Sequence, residues 1–130
     1  MDNSLLILQY IKNILQQHEN LMSMITEDKI CTVVAPTNTR TPFIVLKRNN
    51  LMTNYTKDRY PSNTVSFTIT IIGDSYNEMI EIANNVRDAV ENYYLQDENI
   101  FIHPISLTSA YEDFNDDGFV EQLSFETSIR

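Results

Sequence analysis

The sequence predicts an α+β domain in which two main helices and about five strands follow the order α-β-β-β-α-β-β. Three observations predict it. The opening residues repeat apolar side chains at helical spacing. A middle segment, TVSFTITII, alternates apolar and hydroxyl residues with a period of two. A second helical stripe begins just after Ser75 and Glu78, which have the spacing of a capping box.

The first helix rests on Leu5, Leu8, Ile11 and Leu15, with Ile7 and Ile14 widening the stripe. Asn3 or Ser4 is placed to cap its first turn, and Asn20 can take the left-handed conformation that closes it. After a short apolar piece, LMSMI, the segment KICTVVA is rich in β-branched residues and ends at Pro36. PTNTRTP is loop chemistry, because two prolines set φ and the Asn and Thr side chains bond locally. FIVLK is apolar on both faces and so reads as a central or covered strand. Residues 49–63, NNLMTNYTKDRYPSN, show no period and read as a long exposed loop or the splayed tip of a hairpin.

In the next strand Val65, Phe67, Ile69 and Ile71 face one way, and Thr64, Ser66, Thr68 and Thr70 the other. Gly73 and Asp74 end it. The second helix buries Met79, Ala83, Val86, Val90 and Tyr93, flanked by Ile82 and Ala89. Two strands close the chain. NIFIHPISLTS is interrupted by Pro104, which removes a ladder donor and makes this an edge strand or a bulge. FVEQLSFETSI alternates through Phe119, Leu123, Phe125 and Ile129, with Glu121 as the one charge on that face.

Between those runs, YEDFNDDGFVEQL holds Asp113, Asn115, Asp117 and Gly118 at the spacing of the first half of an EF-hand loop. Position twelve of such a loop must be a bidentate carboxylate, and counting from Asp113 it is Ser124. The flanks alternate as strands where an EF-hand has helices. NDDG between two strands is a hairpin signature. The favoured reading is therefore a turn, and a small calcium-responsive module using Asp113, Asn115 and Asp117 is the alternative.

The chain has 130 residues, the size of a single domain spanning 1–130. It is 42% hydrophobic and 21% charged, with nine basic and eighteen acidic residues and a net charge of −9. That surplus of acid disfavours nucleic-acid binding. No apolar run approaches the roughly 20 residues of a membrane span, and the N-terminus lacks the basic region of a signal peptide. His18, Cys31 and His103 show no paired metal-ligand spacing, and the lone cysteine cannot form an internal disulfide. No nucleophile motif is present, and Gly73 and Gly118 are too few to cradle phosphate. Acid pairs such as Asp97–Glu98, Glu112–Asp113 and Asp116–Asp117 are suited to Mg²⁺, but no basic residues stand near them to hold a substrate phosphate. The expectation is no enzyme, no cofactor and no catalytic residue. What remains is adhesive surface: strand edges, and a loop bearing Tyr55, Lys57, Arg59 and Tyr60, residue types favoured at interfaces.

The order of elements, with TPFIVLKR, then VSFTITIIGDSYNEMIEIANNVRDAVENYY, then YEDFNDDGF before the last strand, resembles the tail-completion or tail-terminator proteins of long-tailed phages and prophages. The most specific part is the strand running into the helix start DSYNEMIEIA, followed by Val86, Arg87 and Val90. The resemblance covers most of the chain. It implies an antiparallel sheet with helices packed on it, and no catalytic residues. It also implies a homo-oligomeric ring, often sixfold, at the head-proximal end of the tail tube. The partners it implies are the tail tube protein and the head connector proteins, and the location is the virion, reached through assembly in the host cytoplasm.

Overall fold

Strand pairing organises the molecule. The structure, a computed structural model, describes residues 3–55 and 62–130, and everything below concerns those residues. The seven strands are β1 (Ile30–Thr32), β2 (Phe43–Asn54), β3 (Ser62–Gly73), β4 (Leu95–Gln96), β5 (Phe101–Ile102), β6 (Ser106–Asn115) and β7 (Gly118–Ile129). The helices are α1 (Ile7–Gln17), α2 (Glu19–Met22) and α3 (Tyr76–Val90), with short 3-10 turns at Ser4–Leu6 and Glu27–Lys29. The strands form one sheet in the order β1-β2-β3-β7-β5-β4, and β6 also pairs with β7. β7 therefore meets β3 along one side, and β6 and then β5 along the other.

The alternation of β3 is realised as expected. Val65, Phe67, Ile69 and Ile71 are buried beneath the helices, while Thr64, Ser66, Thr68 and Thr70 lie half-buried on the opposite face. α1 contributes Ile7, Ile11 and Leu15 to the core, and α3 contributes Met79, Ile82, Ala83, Val86 and Val90. Phe67 stacks on Phe125 with ring centroids 5.4 Å apart. The helix-free face is mostly polar, with one small apolar cluster of Phe43, Ile72 and Val120 beside Ala35 and Val45.

The expected fold needs correction in detail: the sheet has seven strands rather than about five, and it is not wholly antiparallel. β1 runs parallel to β2 because the connection between them returns the chain to the same end of the sheet. β1 stops after three residues, and Val33, at φ 71, turns the chain away. The sequence leaves two readings open for residues 49–63, an exposed loop or the tip of a hairpin, and β2 continues through residues 49–54, held by an antiparallel register with β3 that shifts between Arg48 and Asn50. The hairpin reading of that segment is the correct one. Pro104 divides the next segment into β5 and β6, and β6 extends through Tyr111 to Asn115.

Helix ends also differ. Leu5 is 63% exposed, because α1 begins at Ile7 and its stripe runs Ile7, Ile11, Leu15. Neither Asn3 nor Ser4 caps it. The Asn3 side chain donates to the Asn99 carbonyl at 3.0 Å, and the buried Ser4 hydroxyl accepts from the Asn63 amide at 2.8 Å. Asn20 lies inside α2, and α1 ends at His18 in an extended conformation. Ser75 does cap α3, accepting from the Glu78 N–H at 3.2 Å, while the Glu78 carboxylate reaches one residue further back, to the Asp74 N–H at 3.4 Å.

Phe67 sits where β3, β7 and the helices meet. Phe67→Ala is expected to cost about 3–5 kcal/mol, measured as a lower urea midpoint with an unchanged slope.

Candidate functional site

The β6–β7 hairpin gathers most of the chain's unexplained chemistry. Asn115 pairs with Gly118 across a two-residue turn, Asp116–Asp117. The Asn115 side-chain oxygen accepts from the Asp117 N–H, and Asp113 accepts from the Phe114 N–H, each at 2.8 Å. Gly118 has φ 130, and a Cβ there would lie 2.6 Å from the Gly73 carbonyl oxygen. The turn expected from NDDG is thus present, with strands on both sides. Asp113 and Asn115 are turned onto the backbone, and among the described residues no group of three or more His, Cys, Asp or Glu is placed to hold a metal.

The register of this hairpin sets Glu112 directly opposite Glu121. Glu121 is only 8% exposed, the one charge in a mostly apolar row, and its Oε2 has no hydrogen-bond partner. Burial, with Glu112 alongside, raises its pKa above the usual carboxylate range. Glu112 accepts a hydrogen bond from the Tyr76 hydroxyl at 2.8 Å, and that bond, with burial and the two carboxylates, raises the tyrosine's pKa. Phe119 packs against Tyr76 and Phe114, with centroid distances of 6.2 and 4.9 Å. Two like charges facing each other across a strand pair destabilise the chain that carries them. Sequence reading noted Glu121 as a lone charge but missed Glu112 as its partner, though the hairpin register contains it.

The other polar residues have local structural partners. His18 accepts from the Leu21 N–H on Nδ1 at 3.2 Å, so its ring proton sits on Nε2, which donates to Asp88 at 2.9 Å and ties α2 to α3. The buried Cys31 thiol lies 3.9 Å from the Lys29 carbonyl. His103 packs its ring on Phe101, centroids 4.3 Å apart. Arg87 and Glu91 form an ion pair one turn apart on α3.

Of the loop residues singled out in the sequence, Tyr55 is 87% exposed at the end of β2. Lys57, Arg59 and Tyr60 lie outside the described residues. No helix among the described residues is long and apolar enough to cross a membrane. The sheet carries two long outer edges. β6 pairs with β7 alone, and β2 is paired by β1 only at Ile44–Leu46, which leaves residues 47–54 open on that side among the described residues.

Residues 9–130 match the family model described as tail completion protein gp17. No curated protein matches the chain. Among solved structures, a chain from the virion of a native gene transfer agent particle is similar, with a TM-score of 0.78 and 15% identity over 92% of this chain and 90% of that one. A second solved chain aligns with a TM-score of 0.59 and 11% identity, covering 94% and 95%.

Two substitutions check this geometry. Gly118→Ala forces a side chain against a carbonyl at a positive φ and is expected to lower stability by about 2 kcal/mol in chemical denaturation. Glu121→Gln is expected to act the other way. With a raised folded-state pKa, the ionised group's penalty is fully present above that value and vanishes once pH falls below the unfolded carboxylate range. The variant should gain about 0.5–1 kcal/mol near neutral pH, roughly 2–4 °C in thermal melts, and the gap should close below about pH 4.

Proposed function

The chain belongs to the tail completion protein gp17 family, and from that premise we propose that it is a structural protein of a phage or prophage tail, working by shape and contact without catalysis. It forms a ring at the head-proximal end of the tail tube, stops tube growth, and offers the head connector a docking surface. It does this in the virion, after assembly in the host cytoplasm. The observation that carries this reading is the family match across residues 9–130.

The architecture suits such a role. Both main helices, α1 and α3, pack on one side of the sheet and leave the other side mostly hydroxyl-lined, so the molecule has two unlike broad surfaces. In a ring, the polar surface lines the channel, and the chain's surplus of acid, a net charge of −9 over all residues, disfavours adhesion of passing DNA. A ring needs a heterologous interface that closes on itself. The loop bearing Tyr55, Lys57, Arg59 and Tyr60 supplies part of it, meeting an acidic neighbour. Two of only nine basic residues stand there against eighteen acids, which makes the pairing selective.

Light scattering and electron microscopy of the protein, alone and added to tail tubes, test this. Rings on tube ends are expected. The double variant Lys57→Glu with Arg59→Glu should self-associate at least about tenfold more weakly, an effect of about 1.4 kcal/mol. Normal rings and capped tubes from that variant would remove the loop from the interface.

A further inference from the structure

We propose that the outer edge of β6 in one copy pairs antiparallel with the outer edge of β2 in the next, residues 106–113 against residues 47–54, so that the sheet runs on from copy to copy. This deepens the ring reading and rests on it. An open edge is a template for another strand. Four features of this chain specify which strand.

The first is direction. β2, β3, β7 and β6 are successively antiparallel, so β2 and β6 point opposite ways. A copy brought alongside by rotation about a ring axis therefore presents its β2 antiparallel to β6, and the alternation continues.

The second is charge. β6 carries Glu112 and Asp113 and no Lys or Arg, whereas residues 47–54 carry Lys47 and Arg48 and no Asp or Glu. Placing Glu112 opposite Arg48 sets Asp113 opposite Lys47 in the same register. The faces agree, because Glu112 shares the helix-side face with Glu121 and Arg48 shares it with Phe67. Asp113 and Lys47 lie on the other face, level with Val120 and Thr68.

The third is length and irregularity. β1 ends the free edge of β2 at Leu46, whose carbonyl accepts from the Val33 N–H at 2.7 Å, so pairing starts at Lys47. Each edge has one register shift, between Arg48 and Asn50 on β2 and between Leu107 and Ser109 on β6. Skipping Asn49 on one strand and Thr108 on the other sets Tyr111 opposite Asn50, Ala110 opposite Leu51, Ser109 opposite Met52, and Ser106 opposite Asn54. Each pair lies on a common face. One bulge offsets the other.

The fourth is the unbalanced acid pair. Glu112 and Glu121 stand opposite each other, and the buried Glu121 leaves one oxygen without a partner. The Arg48 guanidinium has five N–H donors, of which one reaches the Leu5 carbonyl at 3.2 Å. The neighbour's Arg48 brings to this pair the cation that its own chain does not supply among the described residues.

Charge exchange tests the register. Arg48→Glu and Glu112→Arg are each expected to weaken self-association at least tenfold with circular dichroism unchanged. Arg48→Glu should melt close to wild type, and Glu112→Arg, which removes the repulsion with Glu121, should melt no lower than wild type. Combining both substitutions in one chain, or mixing the two single variants, should restore rings, since every contact then regains one charge of each sign. Under oxidant, Ser109→Cys with Met52→Cys should give a ladder of intermolecular disulfides, and Ser109→Cys with Leu51→Cys should not. Rings that survive Arg48→Glu and form no ladder overturn strand pairing and leave the ring reading standing. A wild-type chain that stays a protomer both alone and on tail tubes overturns both.

Discussion

The pairing of β3 with β7 is the constraint from which the rest of the molecule follows. Its register runs without a break from Asn63 opposite Ile129 to Gly73 opposite Phe119. Side chains alternate along a strand, so this one alignment sets Val65, Phe67, Ile69 and Ile71 in a common apolar field with Leu123, Phe125 and Ile129. A slip of one residue would turn Ser and Thr toward the helices and the apolar row toward water. The stacked rings of Phe67 and Phe125 hold the centre of the ladder. The apolar stripes of α1 and α3 then have one surface on which to be buried.

The same register creates the tight and costly features at one end of the sheet. Gly73 faces Phe119, which carries the preceding Gly118 against the Gly73 carbonyl. Glycine is needed there twice over, for its φ and for the lack of a side chain. Ile71 faces Glu121, so a carboxylate occupies a place in a mostly apolar row, and β6 then sets Glu112 beside it. The Tyr76 hydroxyl at the start of α3 satisfies part of Glu112 but not the buried Glu121 oxygen. The cost is local, at the rim of a core that is otherwise mostly apolar.

What the sequence made legible was what each segment decides for itself. Ile11 and Leu15, the β3 alternation and the α3 stripe from Met79 to Val90 carry their own periodicity, and all are buried as read. The residues whose strand character was not legible have their conformation imposed by a neighbour. Residues 49–54 and Tyr111 to Asn115 are mostly polar on both faces, so nothing in their pattern marks them as strand, and the β3 and β7 hydrogen bonds extend them. Val33 and Val34 look like strand, yet both are exposed, because Val33 itself takes a positive φ that no glycine or asparagine announces. The acid pair was within reach: once Asn115 is set opposite Gly118, three residues back and three forward give Glu112 opposite Glu121.

Edges explain why charge is distributed as it is. A sheet with open edges risks pairing in any direction, and natural sheets limit this with charge, bulges and short covering strands. This chain has all three: β1 covers part of β2, each long edge carries one register shift, and the charged residues on the two edges are of opposite sign. Pairing of β6 with β6, or of β2 with β2, joins edges of like charge, and the contact between unlike edges is the one both strands favour. The proposed contact is heterologous, and whether it closes into a ring or runs on as a filament depends on the rotation between copies. The twist of the strands sets that rotation. In the proposed assembly, edge charge sets the direction of the contact and sheet twist sets its closure, beside whatever the loop of residues 55–60 contributes.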